Sequence, residues 1–275
     1  MGPPGPGLRV MNPFFGILAL ALLLWQQPSL AHPGASSSIE HYSHQIEHSP
    51  ENQALYISRG IAYSNDGRYD EALADFKRAR TLGDPVIVSF DLGVLHYRMG
   101  ESDPALGYFN QYLERFPNHV GCIEYRARLL RDAGDIPGAI DDFRRVFELQ
   151  ERPNPGHYVS AARLLESIGP QGVSPALALL DSGMDKLGVI PQLQTEAIRL
   201  ERSRGRLDLA VARHLALEPQ LGDSPNWKVE MAALHLDTDE TDKARELLDD
   251  ATAQLQVLRK TPARLALAER IAQLY

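Results

Sequence analysis

Residues 60–76 read GIAYSNDGRYDEALADF, residues 93–109 read GVLHYRMGESDPALGYF, and residues 127–143 read ARLLRDAGDIPGAIDDF. Laid over one another, the three stretches agree at four places. The first residue is small (Gly60, Gly93, Ala127), and a glycine follows at Gly67, Gly100 and Gly134. An alanine then stands at Ala72, Ala105 and Ala139, and a phenylalanine at Phe76, Phe109 and Phe143. Downstream the alanine recurs at Ala176, Ala210 and Ala244, giving steps of 33, 34, 37, 34 and 34 residues. The residue four further on becomes Leu180, His214 and Leu248, and Gly205 repeats the turn position before Ala210. A fixed period of this length marks a chain built from stacked supersecondary units, not one enclosed core.

Each unit has a simple physical reading. Two runs with helical periodicity, 54–64 and 70–82 in the first copy, flank Asn65-Asp66-Gly67-Arg68. Gly67 can take a positive φ and so ends the first helix at little cost. Gly60 and Ala72 are small because two helix backbones approach closely where they cross, and Phe76 fills the space beside the crossing. Pro85, Pro117 and Pro153 close the first three units. The 37-residue step is assigned to additional loop residues at Ile168-Gly169-Pro170-Gln171-Gly172, and the sixth unit keeps Trp227 but lacks a turn glycine.

These residues carry a family resemblance. The pattern W-x2-L-G-x2-Y…A-x3-F…P over 34 residues is that of the tetratricopeptide repeat, and the first unit resembles it through Tyr56, Gly60, Tyr63, Ala72, Phe76 and Pro85. It departs at Arg59, where the family has Leu, and at Tyr56, which stands for Trp. The second unit matches through Leu92, Gly93, Ala105, Phe109 and Pro117, and the third through Ala127, Ala139 and Phe143. The resemblance implies an all-α fold: a right-handed superhelical array of about six helix-turn-helix hairpins, the last three degenerate. The boundaries expected are a signal peptide at 1–31, a His-rich segment at 32–52, the array at 53–260 and a capping helix at 261–275. That last helix is read from Leu267, Ile271 and Leu274 at helical spacing.

The resemblance also implies a role. The first helix of each hairpin lines a concave groove, and its frame places Ile57, Ile61, Ser64 and Asn65, then Phe90, Asp91, Val94, Tyr97 and Arg98, then Glu124, Tyr125, Arg128, Arg131 and Asp132 on that face. Phe90, Val94, Tyr97, Arg98, Tyr125, Arg128 and Arg131 are the peptide-binding candidates. Arginine donors can hold a carboxylate in paired hydrogen bonds, and tyrosine supplies contact area at low entropic cost. The expected partner is a protein or peptide with acidic groups. The family's clamp for chaperone tails needs Lys and Asn where this chain has Ile57 and Ile61, so that subtype is not expected.

Other chemistry is sparse. The chain of 275 residues has 28 Lys+Arg against 36 Asp+Glu, a net charge of −8 that disfavours a nucleic-acid partner. The single cysteine, Cys122, excludes an internal disulfide and reads as a small packing residue. No catalytic residues are assigned. His44-Gln45-Ile46-Glu47-His48 matches an inverted zinc-peptidase motif, yet a repeat array begins within ten residues, leaving no room for the catalytic domain that motif requires. If 37–48 is helical, Ile39, Tyr42 and Ile46 share one side and His41, His44 and His48 the other. Together with His32 at a new amino terminus, they form an alternative Cu²⁺ or Zn²⁺ site for an accessory protein; otherwise no cofactor is expected.

At the amino terminus, Arg9 precedes the uncharged run FFGILALALLLW (14–25), and Ser29-Leu30-Ala31 offers small residues to a signal peptidase. Twelve residues span about 18 Å as a helix, short of the roughly 30 Å of bilayer hydrocarbon. The expected protein is therefore exported, periplasmic or secreted, with no stable membrane span after cleavage. The mature protein is predicted to begin at His32. Intact-mass analysis of the exported protein reads this directly, and a chain retaining residues 1–31 would contradict the signal reading.

Overall fold

The computed structural model describes residues 33–275, which places the expected signal peptide and His32 outside the described residues. Among the described residues every regular element is helical. The chain forms two compact units that divide inside one helix, between Tyr108 and Phe109.

The first unit holds α1 (Pro33–His48), α2 (Gln53–Asn65), α3 (Tyr69–Leu82), α4 (Ser89–Arg98) and the first half of α5 (Ser102–Arg115). Asn52 starts α2, its side-chain oxygen accepting the Ala54 amide at 3.0 Å. Gly67, at φ 78°, stops it, and the Arg68 amide turns back to the Tyr63 carbonyl at 2.9 Å. The crossing of α2 and α3 is tight where the spacing predicts: a Cβ added at Gly60 would lie 2.6 Å from Cε1 of Phe76. Ala72, Phe76, Ala79, Val88, Leu92 and Leu95 form the core that this crossing encloses. The α1 helix lays Ile39 and Ile46 into the interior and leaves His41, His44 and His48 in solvent, as its periodicity requires.

Arg59, the departure from the family pattern, has a physical reason. Its Nε and Nη2 donate to the two carboxylate oxygens of Asp75, both at 2.7 Å, and Nη1 reaches Ser43 Oγ on α1 at 3.2 Å. The second unit repeats the arrangement 67 residues later, with Arg126 on Asp142 at 2.7 Å in both bonds. Both aspartates are buried, so each pair staples the two helices of its hairpin through a bidentate charge-assisted bond. The intervening copy has Leu92 and Tyr108 at these positions and uses apolar packing instead.

The second unit runs through α6 (Val120–Asp132), α7 (Ile136–Leu149), α8 (Pro155–Ser167), α9 (Pro170–Leu187), α10 (Pro191–Ser203), α11 (Leu207–Leu215), α12 (Glu218–Leu221), α13 (Pro225–Asp237), α14 (Thr241–Val257) and α15 (Pro262–Leu274). With α2/α3 and α4/α5, the pairs α6/α7, α8/α9, α10/α11 and α13/α14 make six hairpins in chain order. The six periodic alanines are all 0% exposed, and the residues four positions after them are buried in every copy. His214 fills the aromatic position by stacking on Trp227, with ring centroids 5.0 Å apart. Its Nε2 lies 3.0 Å from the Trp227 carbonyl, and Trp227 Nε1 donates to the His214 carbonyl at 3.1 Å.

Three details differ from the sequence reading. The extra residues of the fourth copy are not a loop: Pro170–Gly172 form the first turn of an α9 that is 18 residues long. Gly172 is required there, because a Cβ would fall 1.7 Å from the Leu165 carbonyl oxygen. The missing turn glycine of the sixth copy is replaced by Asp239 at φ 60°, a conformation Asp tolerates better than most side chains. Finally, the short α12 interrupts the link from α11 to α13. At the carboxyl end, Ile271 is buried against α13 and α14, with Leu267 and Leu274 packed beside it.

Truncating Phe76→Ala removes the ring that Gly60 accommodates, and should lower stability by roughly 3–5 kcal/mol. Urea denaturation followed by circular dichroism measures it, and a loss below about 1 kcal/mol would contradict the crossing as the core of the unit.

Candidate functional site

The residues of the first unit that the repeat frame assigns to the groove come from α2 and α4. On α4, Asp91, Val94 and Arg98 recur at i, i+3 and i+7, so they stand along one side of the helix. With Ile61, Ser64 and Asn65 from the last turn of α2, they line a half-open cleft of about 40 Å³, floored by Phe76. The same phenylalanine that closes the hairpin core therefore also forms the bottom of the cleft. The wall takes Val94 and Arg98 from the predicted set but not Phe90 or Tyr97.

The two charged side chains of the cleft differ in state. Arg98 Nη1 donates to Ser64 Oγ at 3.0 Å and to Asn65 Oδ1 at 2.7 Å, so its guanidinium is tied to the end of α2. Asp91 carries a carboxylate with no hydrogen-bond or salt-bridge partner within the unit, and burial pushes its pKa up to about 6.

The predicted residues of α6 lie in the other unit. Arg128 stands 5.5 Å from the Tyr125 ring centroid and 3.9 Å from Glu124, and its Nη2 lies 3.3 Å from Nε2 of His157. Arg131 donates to Asp132 at 2.8 Å. All three arginines expected to grip an acidic peptide thus have partners within the chain. His157 is buried, and burial is the main cause that lowers its pKa. Glu124 acts in the opposite sense, and Arg128 and Arg131 add to the lowering.

The histidine cluster is brought together only in part. The rings of His44 and His48 meet edge to face, 4.7 Å between centroids. His41 turns its Nε2 to the Gln45 amide at 3.2 Å. Among the described residues no group of three His, Cys, Asp or Glu is arranged to hold a metal ion. Cys122 is buried on α6, its Sγ 3.7 Å from the Phe109 carbonyl, and burial pushes its thiol up to about 12. That is the state of a packing residue and not of a nucleophile.

A second opening lies between α14 and α15, an apolar cleft of about 380 Å³ walled by Leu255, Leu258, Leu265 and Ile271. No sequence signal marks it, because it arises from the seating of α15 and not from the repeat. The frame assigns Asp91 to the groove face, but its partial burial and lack of a partner have no local sequence signal. The Arg–Asp staples did have one, in the recurrence of both residues 67 positions apart.

Helical hairpins closed by a small residue, an aromatic and a turn glycine define a class, and the comparisons agree with it. Residues 57–120 and 90–156 match the family model for the tetratricopeptide repeat, so this stretch of the chain carries tetratricopeptide repeats. It is similar to the Photosystem I assembly protein Ycf3 of Synechococcus sp. (strain WH7803), 27% identical over 133 residues, covering 43% of this chain and 77% of that one. The Ycf3 of Acaryochloris marina (strain MBIC 11017) is 26% identical over 132 residues, covering 43% and 80%. Among solved structures, the C-terminal part of a TPR repeat-containing protein from Cytophaga hutchinsonii gives a TM-score of 0.66 at 12% identity, covering 85% of this chain and 94% of that one. PilF of Pseudomonas aeruginosa gives 0.54 at 15%, covering 79% and 95%. At these identities the structures speak for the fold alone. Among the described residues no helix is long and apolar enough to cross a membrane.

The histidine of α8 supplies a pH test. A folded-state pKa held below the ordinary value of about 6.5 means the unfolded chain binds the proton more readily. The contribution of neutral His157 is therefore fully present above pH 6.5 and is lost as the pH falls below it. Urea midpoints of wild type and His157→Gln should differ more at pH 7.5 than at pH 5; a constant difference would contradict the assignment.

Proposed function

We propose that this protein is a non-catalytic scaffold that holds a protein or peptide partner on the first-helix faces of its hairpins. The observation that carries the reading is the α2–α4 cleft. It lies on the face the family uses for recognition, is floored by a core residue, and is walled by side chains the hairpin does not need for closure. Rigid helices hold those side chains, so partner binding loses little to ordering of the site. The name of the Ycf3 relatives supports a role in assembling a larger complex. The apolar run before Ser29-Leu30-Ala31 supports action in the periplasm or outside the cell. The alternative of a Cu- or Zn-binding accessory protein rests, among the described residues, on the His44–His48 pair.

Affinity capture from the exported fraction tests the scaffold reading. A tagged full chain should retain a stoichiometric partner, and the double variant Val94→Glu, Arg98→Glu should reduce capture at least tenfold while keeping its helical circular dichroism. Equal capture by the folded variant would contradict the assigned face.

A further inference from the structure

We infer that the α2–α4 cleft is a receptor for a lysine side chain of the partner, with Asp91 as its counter-charge. This deepens the scaffold reading and rests on it, since it names what the partner presents to the first unit.

Asp91 contributes a carboxylate to the wall of the cleft and has no donor within its unit, while the other charged residue that lines the cleft is engaged. Arg98 is held by Ser64 and Asn65. Seven residues separate Asp91 from Arg98, about 10 Å along the helix, so the two ends of the cleft are electrostatically distinct. A carboxylate withdrawn from water without a partner is costly, and a cation that enters removes that cost.

Size and lining select the form of the cation. A volume of about 40 Å³ admits the tip of an alkyl chain and excludes an aromatic ring. Ile61 and Val94 are apolar and stand on opposite helices, suited to the methylene stem of a lysine, whose ammonium is a compact point charge. A planar guanidinium is wider and would compete with Arg98 for the oxygens of Ser64 and Asn65. A glutamate or aspartate side chain would bring a like charge against Asp91. In the first unit the chemistry therefore favours a basic residue on the partner, flanked by whatever contacts the neighbouring hairpins add.

The test uses the full chain with isotope-labelled isoleucine and valine methyls, titrated with N-acetyl-lysine-N-methylamide. The resonances of Ile61 and Val94 should shift and saturate at millimolar concentration. N-acetyl-norleucine-N-methylamide, which has the stem without the charge, should bind at least tenfold more weakly. Asp91→Asn should weaken the lysine probe by the same factor, and Ile61→Trp, which fills the cleft and leaves the carboxylate in place, should abolish the shift at Val94. Equal binding of the norleucine probe, unaltered affinity in Asp91→Asn, or no saturable shift would overturn the inference. Partner capture by the wild type separates the two levels. A captured partner with a failed lysine titration sinks this inference and leaves the scaffold reading. A successful titration with no partner sinks the scaffold reading and leaves the lysine site.

Discussion

The contact between Gly60 and the ring of Phe76 is the constraint on which the first hairpin depends. With 2.6 Å between a hypothetical Cβ and the ring, any side chain at position 60 would force Phe76 to move, so in this hairpin α2 approaches α3 through a glycine. The approach buries Ala72 and Ala79, brings Arg59 onto Asp75, and sets the position from which α4 packs. The same logic recurs along the chain, with the partner residues changed. In the fourth copy the close approach shifts to Gly172 over the Leu165 carbonyl, and in the fifth His214 replaces phenylalanine and stacks on Trp227. A repeat protein gains stability from each hairpin and from its neighbours, so this contact bears on the first hairpin and on the helix packed against it.

Function enters where the packing leaves something over. Phe76 faces the core on one side and the cleft on the other, so one side chain links the stability of the hairpin to the shape of the proposed recognition surface. The arginines of the recognition face are absorbed by internal partners, while Asp91 is not. The direction of charge at the site is therefore opposite to the overall impression that three groove arginines give. In the proposed site the unpartnered carboxylate of Asp91 is carried by α4, so its desolvation on folding would be recovered on binding.

Much of the fold was legible in the sequence because it is written as backbone requirements. Gly67, Gly100, Gly134 and Gly205 all adopt positive φ, and only a residue without Cβ does so cheaply. The buried alanines follow from the same period. The rest was less visible for identifiable reasons. Pro170 and Gly172 look like loop residues, yet proline suits the first turn of a helix and Gly172 is demanded by a neighbouring carbonyl. Asp239 takes a glycine's place because its conformation, not its identity, is what the turn needs. The frame put Asp91 and Arg98 on the same face, but their pairing states depend on Ser64, Asn65 and the depth of the cleft, which no spacing encodes.

Hydrogen exchange mapped by mass spectrometry over residues 53–258 addresses the central claim, that a recurring close contact closes six helical hairpins in succession. Protected helical blocks broken by rapid exchange near Gly67, Gly100, Gly134, Gly169, Gly205 and Asp239 are the predicted result. Protection that ignores those positions, or that runs unbroken across them, would contradict it.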